Sequence, residues 1–407
     1  MSEIVFVEMP AYGHVNPTLP VVRELVRRGE HVVYYDAEEF QPQVERAGAT
    51  FRAYPAGALT SADIAHATQS GDLTRVPVVL LRATESLLPF LLDDLTRQEP
   101  DLVVLDSNAL WGHMAAKMLN LPTVSLMTTF MPSAAQFMRL SPREWIHMLR
   151  PILPSLPRVA SVRSRVIRRF GNSAMPRPAF PARGDLNIAF LPRDFQPQNA
   201  RVDETFRFVG PMIDPEARRA EIPFDTSGPE PIVYISLGTL HRGSIDFFHQ
   251  CFEAFADMPP RFVLSVGNET DIQGLGPVPS NFIVRPSVPQ LELLRHAAVF
   301  ITHGGMNSVL EGLSCAVPLI VIPQHFEQLM IGLNVEARGS GIVLHGHVAG
   351  KRVTAAELRR ALNRVLAEPS FREAASVVQK SLDATGGYRQ ATDEIQAYIA
   401  QAGHARQ

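Results

Sequence analysis

Short apolar runs recur along the chain, each followed by a longer amphipathic stretch. In the first half this pattern predicts strands at 3–8, 31–35, 49–54, 101–105, 122–126 and 186–191, with helices at 16–28 and 39–47. Runs such as Ile4-Val5-Phe6-Val7 and Leu102-Val103-Val104-Leu105 are apolar without alternation, as expected of strands buried on both faces of a parallel sheet. The second half repeats the rhythm with strands at 232–236, 261–266, 281–284, 298–302 and 317–322. Helical patterns at 355–367, 370–384 and 388–400 close the chain. Strands alternating with helices predict an α/β fold of two doubly wound, Rossmann-like parallel-sheet domains facing a cleft. Between the halves, Gly210-Pro211 to Pro229-Glu230-Pro231 is rich in residues that cannot extend a ladder, so it is predicted as a linker. The predicted organisation is a domain at 1–210, a linker at 211–231, a domain at 232–385 and a terminal helix at 386–407.

Composition narrows the partners. With 407 residues the chain exceeds one ordinary core, and 46% hydrophobic with 19% charged residues leaves little for disorder. A net charge of −3 argues against nucleic acid as a partner. Ile4-Val5-Phe6-Val7 reads as a strand, so no signal peptide is expected, and no apolar stretch nears the roughly 20 residues of a membrane span. The two cysteines, Cys251 and Cys315, lie far apart and read as reduced thiols. The expectation is a cytoplasmic protein, monomer or homodimer, without integral membrane contact. One segment stands apart: Arg139–Arg183 carries ten arginines and a single acid, Glu144, among apolar residues such as Trp145, Ile146 and Leu149. It reads as a solvated arginine face on excursion helices, or else as a cap over an apolar acceptor or a membrane-surface contact.

In such sheets ligands bind beyond the carboxyl ends of the strands, so the strand-to-helix turns are where chemistry belongs. The first turn, Glu8-Met9-Pro10-Ala11-Tyr12-Gly13-His14-Val15-Asn16-Pro17, is not G-x-G-x-x-G, which argues against a nicotinamide cofactor. Asn16-Pro17 reads as an N-cap and first helical residue, placing His14 just ahead of a helix at the sheet's edge. The helix dipole disfavours imidazolium there, while Asp106, ending an apolar strand, is placed to hold one ring nitrogen and stabilise the cation once formed. The pair is a candidate general base.

The second half carries more. Val299 to Gly312 runs from a buried strand through Thr302-His303-Gly304-Gly305 into a helix beginning Met306-Asn307-Ser308. Glycines let a diphosphate approach backbone amides at the helix start, and His303 and Ser308 can add donors. Glu311 follows Asn307 and Ser308 on the same helical face, suited to ribose hydroxyls. After the next strand, Glu327-Gln328 suit adjacent sugar hydroxyls. Ser236, Gly238 and Thr239 form a third small, polar turn after a strand.

The run from Val288-Pro289-Gln290 through His303-Gly304-Gly305, Asn307-Ser308 and Glu311 to Glu327-Gln328 resembles the nucleotide-sugar signature of family 1 glycosyltransferases. Gly13-His14-Val15-Asn16-Pro17 and Asp106 resemble the same enzymes. The likeness covers nearly the whole chain and is nearest to bacterial macrolide-type UDP-glycosyltransferases, which modify antibiotics, flavonoids and other polyphenols. It implies a GT-B fold and inverting transfer of a hexose, glucose from UDP-glucose first among them, onto a hydroxyl of an apolar natural product. His14 would be the base and Asp106 its partner. Gln290 would approach the nucleobase, His303, Gly305, Asn307 and Ser308 the diphosphate, Glu311 the ribose, and Glu327 and Gln328 the sugar. The terminal helix would cross back to the N-terminal domain. No cofactor or metal is expected, a UDP- or dTDP-sugar being the co-substrate. There is no D-x-D pair, and amides with His303 would meet the diphosphate charge. The chain departs from the pattern at Ser287, where many relatives carry a base-stacking aromatic, at Met306, where plant members have Trp, and at Glu327, where many have Asp. Phe130, Met131, Phe137 and Met138 are candidate acceptor walls, with the stretch 57–90. A nucleotide-sugar epimerase or hydrolase, and a non-catalytic sugar-nucleotide or aglycone-binding accessory protein, are the alternatives.

Overall fold

A computed structural model describes all residues except 70–71, 199–200, 239–244, 269, 347, 349–350 and 407. The chain divides into two units: Met1–Ala135 with Met148–Ile213 and Thr385–Gln407, and Gln136–His147 with Asp214–Ala384.

The first unit holds a seven-stranded sheet of β1 (Glu3–Val7), β2 (His31–Asp36), β3 (Thr50–Ala53), β4 (Leu102–Asp106), β5 (Thr123–Met127), β6 (Leu186–Ala189) and β7 (Phe206–Phe208). Its order is β3-β2-β1-β4-β5-β6-β7, with every pairing parallel. The second unit holds β8 (Ile232–Ser236), β9 (Arg261–Ser265), β10 (Phe282–Arg285), β11 (Ala297–Thr302), β12 (Leu319–Val321) and β13 (Gly341–Val343). They run β10-β9-β8-β11-β12-β13, again all parallel. The order reverses after β1 in the first sheet and after β8 in the second, at the switch points where doubly wound sheets bind ligands.

The helices are α1 (Tyr12–Arg27), α2 (Gln41–Arg46), α3 (Ser61–Gln69), α4 (Arg75–Gln98), α5 (Leu110–Met118), α6 (Ala134–Phe137), α7 (Pro142–Phe170), α8 (Ile245–Phe255), α9 (Gln290–Leu294), α10 (Met306–Ser314), α11 (Phe326–Ala337), α12 (Ala355–Ala367), α13 (Ser370–Asp383) and α14 (Gly387–Arg406).

Strand periodicity splits each sheet into two buried faces. In the first unit Val5, Val7, Val103 and Leu105 pack with Leu81, Leu88 and Leu91 of α4 and Trp111 of α5. Ile4, Phe6, Val104 and Leu126 pack instead with Val21, Val22 and Leu25 of α1 and Ala391 and Ile395 of α14. At the ends of that helix pair, Arg28 bonds Asp393 at 2.5 Å and Gln396 at 3.0 Å, and Gln396 reaches Glu30 at 2.7 Å. The terminal helix thus belongs to the first unit by apolar burial as well as by charge. In the second unit Val233, Ile235, Val299 and Ile301 pack with Phe248 and Phe255 of α8 and Leu358 and Leu362 of α12.

The structure departs from the sequence pattern at the first helix and at two strands. The first helix starts at Tyr12, not Asn16: Ala11 is its extended N-cap, and the Ala11 carbonyl accepts from His14 and Val15 at 2.8 and 2.9 Å. Pro17 is accommodated inside the helix, costing it the amide that would bond Gly13. Sequence reading also missed β7 and β13, each three residues long and too short to show a period. The arginine-rich segment is one 29-residue helix, α7, carried through Pro151, Pro154 and Pro157.

Candidate active site

The register of the first sheet sets its chemistry. Val7 pairs with Tyr35 and with Leu105, so the next positions, Glu8, Asp36 and Asp106, stand level at the carboxyl edge of three adjacent strands. All three carboxyls are fully buried. Asp106 is held on both oxygens: Oδ1 accepts the Asn108 amide at 2.7 Å, and Oδ2 lies 2.6 Å from Nδ1 of His14. Its carbonyl accepts from the Ala109 amide at 2.9 Å and meets His113 Nε2 at 3.2 Å. His14, the third residue of α1, is a fifth exposed, and Thr128 Oγ1 lies 3.3 Å from its Nδ1. A carboxylate fixed in this way sets the imidazole tautomer, directs Nε2 away from itself, and stabilises the ring when it takes a proton.

The other two acids differ. Neither oxygen of Glu8 has a hydrogen-bond partner, nor does Oδ2 of Asp36. Burial first, then the charges of Asp106 and Asp36, hold the Glu8 carboxyl well above the usual carboxylate range. Burial raises Asp36 as well. Asp106 is the one acid of the three whose oxygens are both bonded.

Burial also pushes His113 down to about 4, against a smaller upward pull from Asp106. Its neutral form is favoured by folding, so this contribution is complete above the unfolded value near 6.5 and is lost as pH falls towards 4. The gap corresponds to ~3 kcal/mol. Urea unfolding at pH 7.5 and 4.5 should therefore show a smaller acid loss for His113→Gln than for the wild type. Equal losses in both would contradict it.

In the second unit the order β8-β11-β12 brings the turns after these strands side by side. Ser236 and Thr302 are paired at the ends of β8 and β11. The His303 ring lies between two glycines: a Cβ on Gly238 would sit 2.6 Å from its Cε1, and one on Gly305 would sit 2.6 Å from its Nε2. Gly304 is left-handed at φ +88, and its amide donates to Thr302 Oγ1 at 3.3 Å. Gly305, extended, is the N-cap of α10 and has no side chain to cap the amides of Met306, Asn307 and Ser308. That end can take an anion against backbone. Thr239 lies outside the described residues.

One turn into α10, Glu311 is buried, as is Met306. Its Oε2 accepts from Gln290 Nε2 at 2.8 Å, while Gln290 Oε1 accepts from Tyr234 at 3.3 Å. Both Glu311 oxygens are also bonded by the Arg218 guanidinium. Sequence reading assigned Arg218 to the linker and gave it no role. It lies 93 positions from its partner, and nothing local in the sequence signals that contact. Arg218, Ala220 and residues Ser287 to Leu291, including Val288, line a cavity of about 380 Å³. Gln328 is buried at the start of α11, its Oε1 accepting the Gln324 amide at 2.8 Å, while its neighbour Glu327 is exposed.

The candidate acceptor residues are divided between the two units. Phe130 and Met131 are buried in the first unit, where Gln196 clamps the Met131 backbone at 3.1 and 2.7 Å. Phe137 belongs to the second unit, its ring 5.7 Å from Phe326 and 6.2 Å from Trp145. Met138 is exposed. In the same unit Glu144 Oε1 lies 2.6 Å from His345 Nδ1. Among the described residues no helix is long and apolar enough to cross a membrane, and no cluster of three metal-ligating side chains occurs.

Residues 184–381 match the family described as UDP-glucoronosyl and UDP-glucosyl transferase. An NDP-glycosyltransferase, YjiC, of Bacillus licheniformis is 33% identical over 405 residues, 99% of each chain. The oleandomycin glycosyltransferase of Streptomyces antibioticus is 28% identical, covering all of this chain and 93% of the relative. Among solved structures, a glycotransferase of kitacinnamycin superposes with a TM-score of 0.83 at 28% identity, over 98% of this chain and 99% of that one. The chain belongs to the UDP-glycosyltransferase family, beside bacterial macrolide glycosyltransferases, and its two parallel-sheet units are those of the GT-B fold.

Proposed function

We propose that the protein transfers a hexose, with UDP-glucose as the first donor to test and dTDP-glucose as the second, onto a hydroxyl of an apolar natural product, with inversion at the anomeric carbon. The observation that carries this reading is the 2.6 Å contact between His14 Nδ1 and a doubly bonded, buried Asp106. Nε2 of His14 takes the acceptor proton as the acceptor oxygen attacks the anomeric carbon. The bond to the diphosphate breaks on the opposite face, and the departing nucleoside diphosphate carries away the bonding pair. His303 and the first-turn amides of α10 stabilise the charge growing on that leaving group. This arrangement meets the diphosphate charge without a metal ion. Glu311 and Gln290 hold the ribose and base end, and Glu327 and Gln328 the hexose. A macrolide, flavonoid or other polyphenol is the acceptor class. The support is the family match together with one relative's name, oleandomycin glycosyltransferase.

Mass spectrometry of the protein with each donor against macrolide and phenolic acceptors tests the reading. A hexose-sized gain on an acceptor, with the β-linked product from an α-linked donor, is the expected result. Donor consumption that ignores acceptor would favour a hydrolase or epimerase instead. Binding of UDP with no product from any acceptor would favour an accessory protein.

A further inference from the structure

We propose that Arg218 is a nucleotide-binding residue: its guanidinium forms the wall on which the nucleobase lies, in place of the aromatic ring that this chain lacks at Ser287. The inference rests on the donor reading given above. Four observations support it. Arg218 lines the cavity of about 380 Å³ together with Ser287, Val288 and Gln290, the stretch at the base end of the donor site. Ser287 is a small side chain there and leaves the face of a base without a partner. The guanidinium is planar, weakly hydrated and delocalised, and such groups stack on nucleobases as well as on aromatic rings. Finally, its orientation is fixed beforehand. Nη1 donates to Oε1 of Glu311 and Nη2 to Oε2 at 3.4 Å, and that carboxylate is itself buried and braced by Gln290 at 2.8 Å. A side chain already held in its bound orientation loses little freedom when the ligand arrives.

The same pair could instead act as a lock, with Arg218 occupying the carboxylate that ribose hydroxyls need. Stoichiometry favours the wall. A carboxylate offers about four acceptor positions. Arg218 and Gln290 supply three donors, and the longest of these bonds is 3.4 Å. Ribose can therefore join Glu311 without expelling the arginine. The two roles predict opposite signs. A wall makes Arg218→Ala bind nucleotide more weakly, and a lock makes it bind more tightly.

Calorimetry with UDP, dTDP and inorganic pyrophosphate on the full chain separates them. For Arg218→Ala and Arg218→Gln, UDP affinity is expected to fall about tenfold, near the lower end of the range for lost base stacking. Pyrophosphate, which has no base, should bind as it does to the wild type. Arg218→Lys should lose most of the same factor, because an ammonium keeps the charge but not the plane. Adding Ser287→Trp to Arg218→Ala should recover UDP affinity. Unchanged or tighter UDP binding by Arg218→Ala overturns the proposal. So does an equal loss for UDP and pyrophosphate, or full affinity in Arg218→Lys. If the wild type takes up neither UDP nor dTDP, the donor reading itself falls, and this one with it. Circular dichroism checks that each variant is folded, since Arg218, itself 43% exposed, pairs with the buried Glu311.

Discussion

His14→Ala should lower kcat about 10²–10⁴-fold, the usual contribution of a positioned general base, while leaving UDP affinity within about twofold. The two effects separate because His14 belongs to the first unit and the residues assigned to the diphosphate belong to the second. Asp106→Asn should approach the same loss by a different route. An asparagine amide facing Nδ1 would favour the tautomer protonated on Nε2, which cannot accept the acceptor's proton. The acid limb of the kcat/KM profile reports protonation of the free enzyme's base, so it should vanish in His14→Ala. Transfer at more than a tenth of the wild-type rate in His14→Ala would remove His14 from the base role. The corresponding result for Asp106→Asn would reduce Asp106 to a loop anchor, which its bonds to the Asn108 and Ala109 amides already make it in part.

Gly304→Ala should abolish measurable UDP binding and destabilise the fold by about 2–4 kcal/mol. Two causes add. At φ +88 an alanine is strained, and its Cβ would lie 2.5 Å from Val321 Cγ1 and 3.3 Å from the Gln328 carbonyl. Val321 ends β12 and is fully buried, so it cannot turn aside without disturbing the strand. Any relief by backbone shift would move the turn that presents His303 and the start of α10. Thermal unfolding and calorimetry measure the two parts. A variant that melts with the wild type and still binds UDP would show that this backbone conformation is dispensable. By contrast Gly13, with nothing within 4 Å of its Cβ position and a helical backbone, should accept alanine with little change in stability.

Much of this molecule was legible in the chain because its strands are buried on both faces. The pattern predicts a strand at 232–236 and a helix at 355–367, and both have those bounds in the structure. Helix α12 carries a strong signal at its start, since Thr354 and Glu357 form a capping box. Where local signals competed, the reading failed. Asn16-Pro17 has the composition of a helix start, but the Ala11 carbonyl had already begun the helix one turn earlier. β7 and β13 were invisible because a three-residue strand at or near a sheet edge is defined by its neighbour rather than by its own pattern. The prolines of α7 argued locally against one continuous helix, yet Val162 and Val166 are buried further along it.

Fold class, family and the residue types of the turn after β11 were all set by the chain itself, because each of these is written in contiguous residues. Val299 to Gly312 carries strand, glycines and helix start within fourteen positions, and no partner from elsewhere is needed to recognise it. Tertiary structure decided what depends on distant segments meeting. Strand register set Glu8 and Asp36 beside Asp106 and brought Asp106 to His14 across 92 residues. Sheet order placed the turns after β8, β11 and β12 together, and chain return put Arg218 on Glu311 across 93 residues. Such contacts arise from burial and pairing over the whole unit, and neither a local pattern nor a residue's own propensity encodes them.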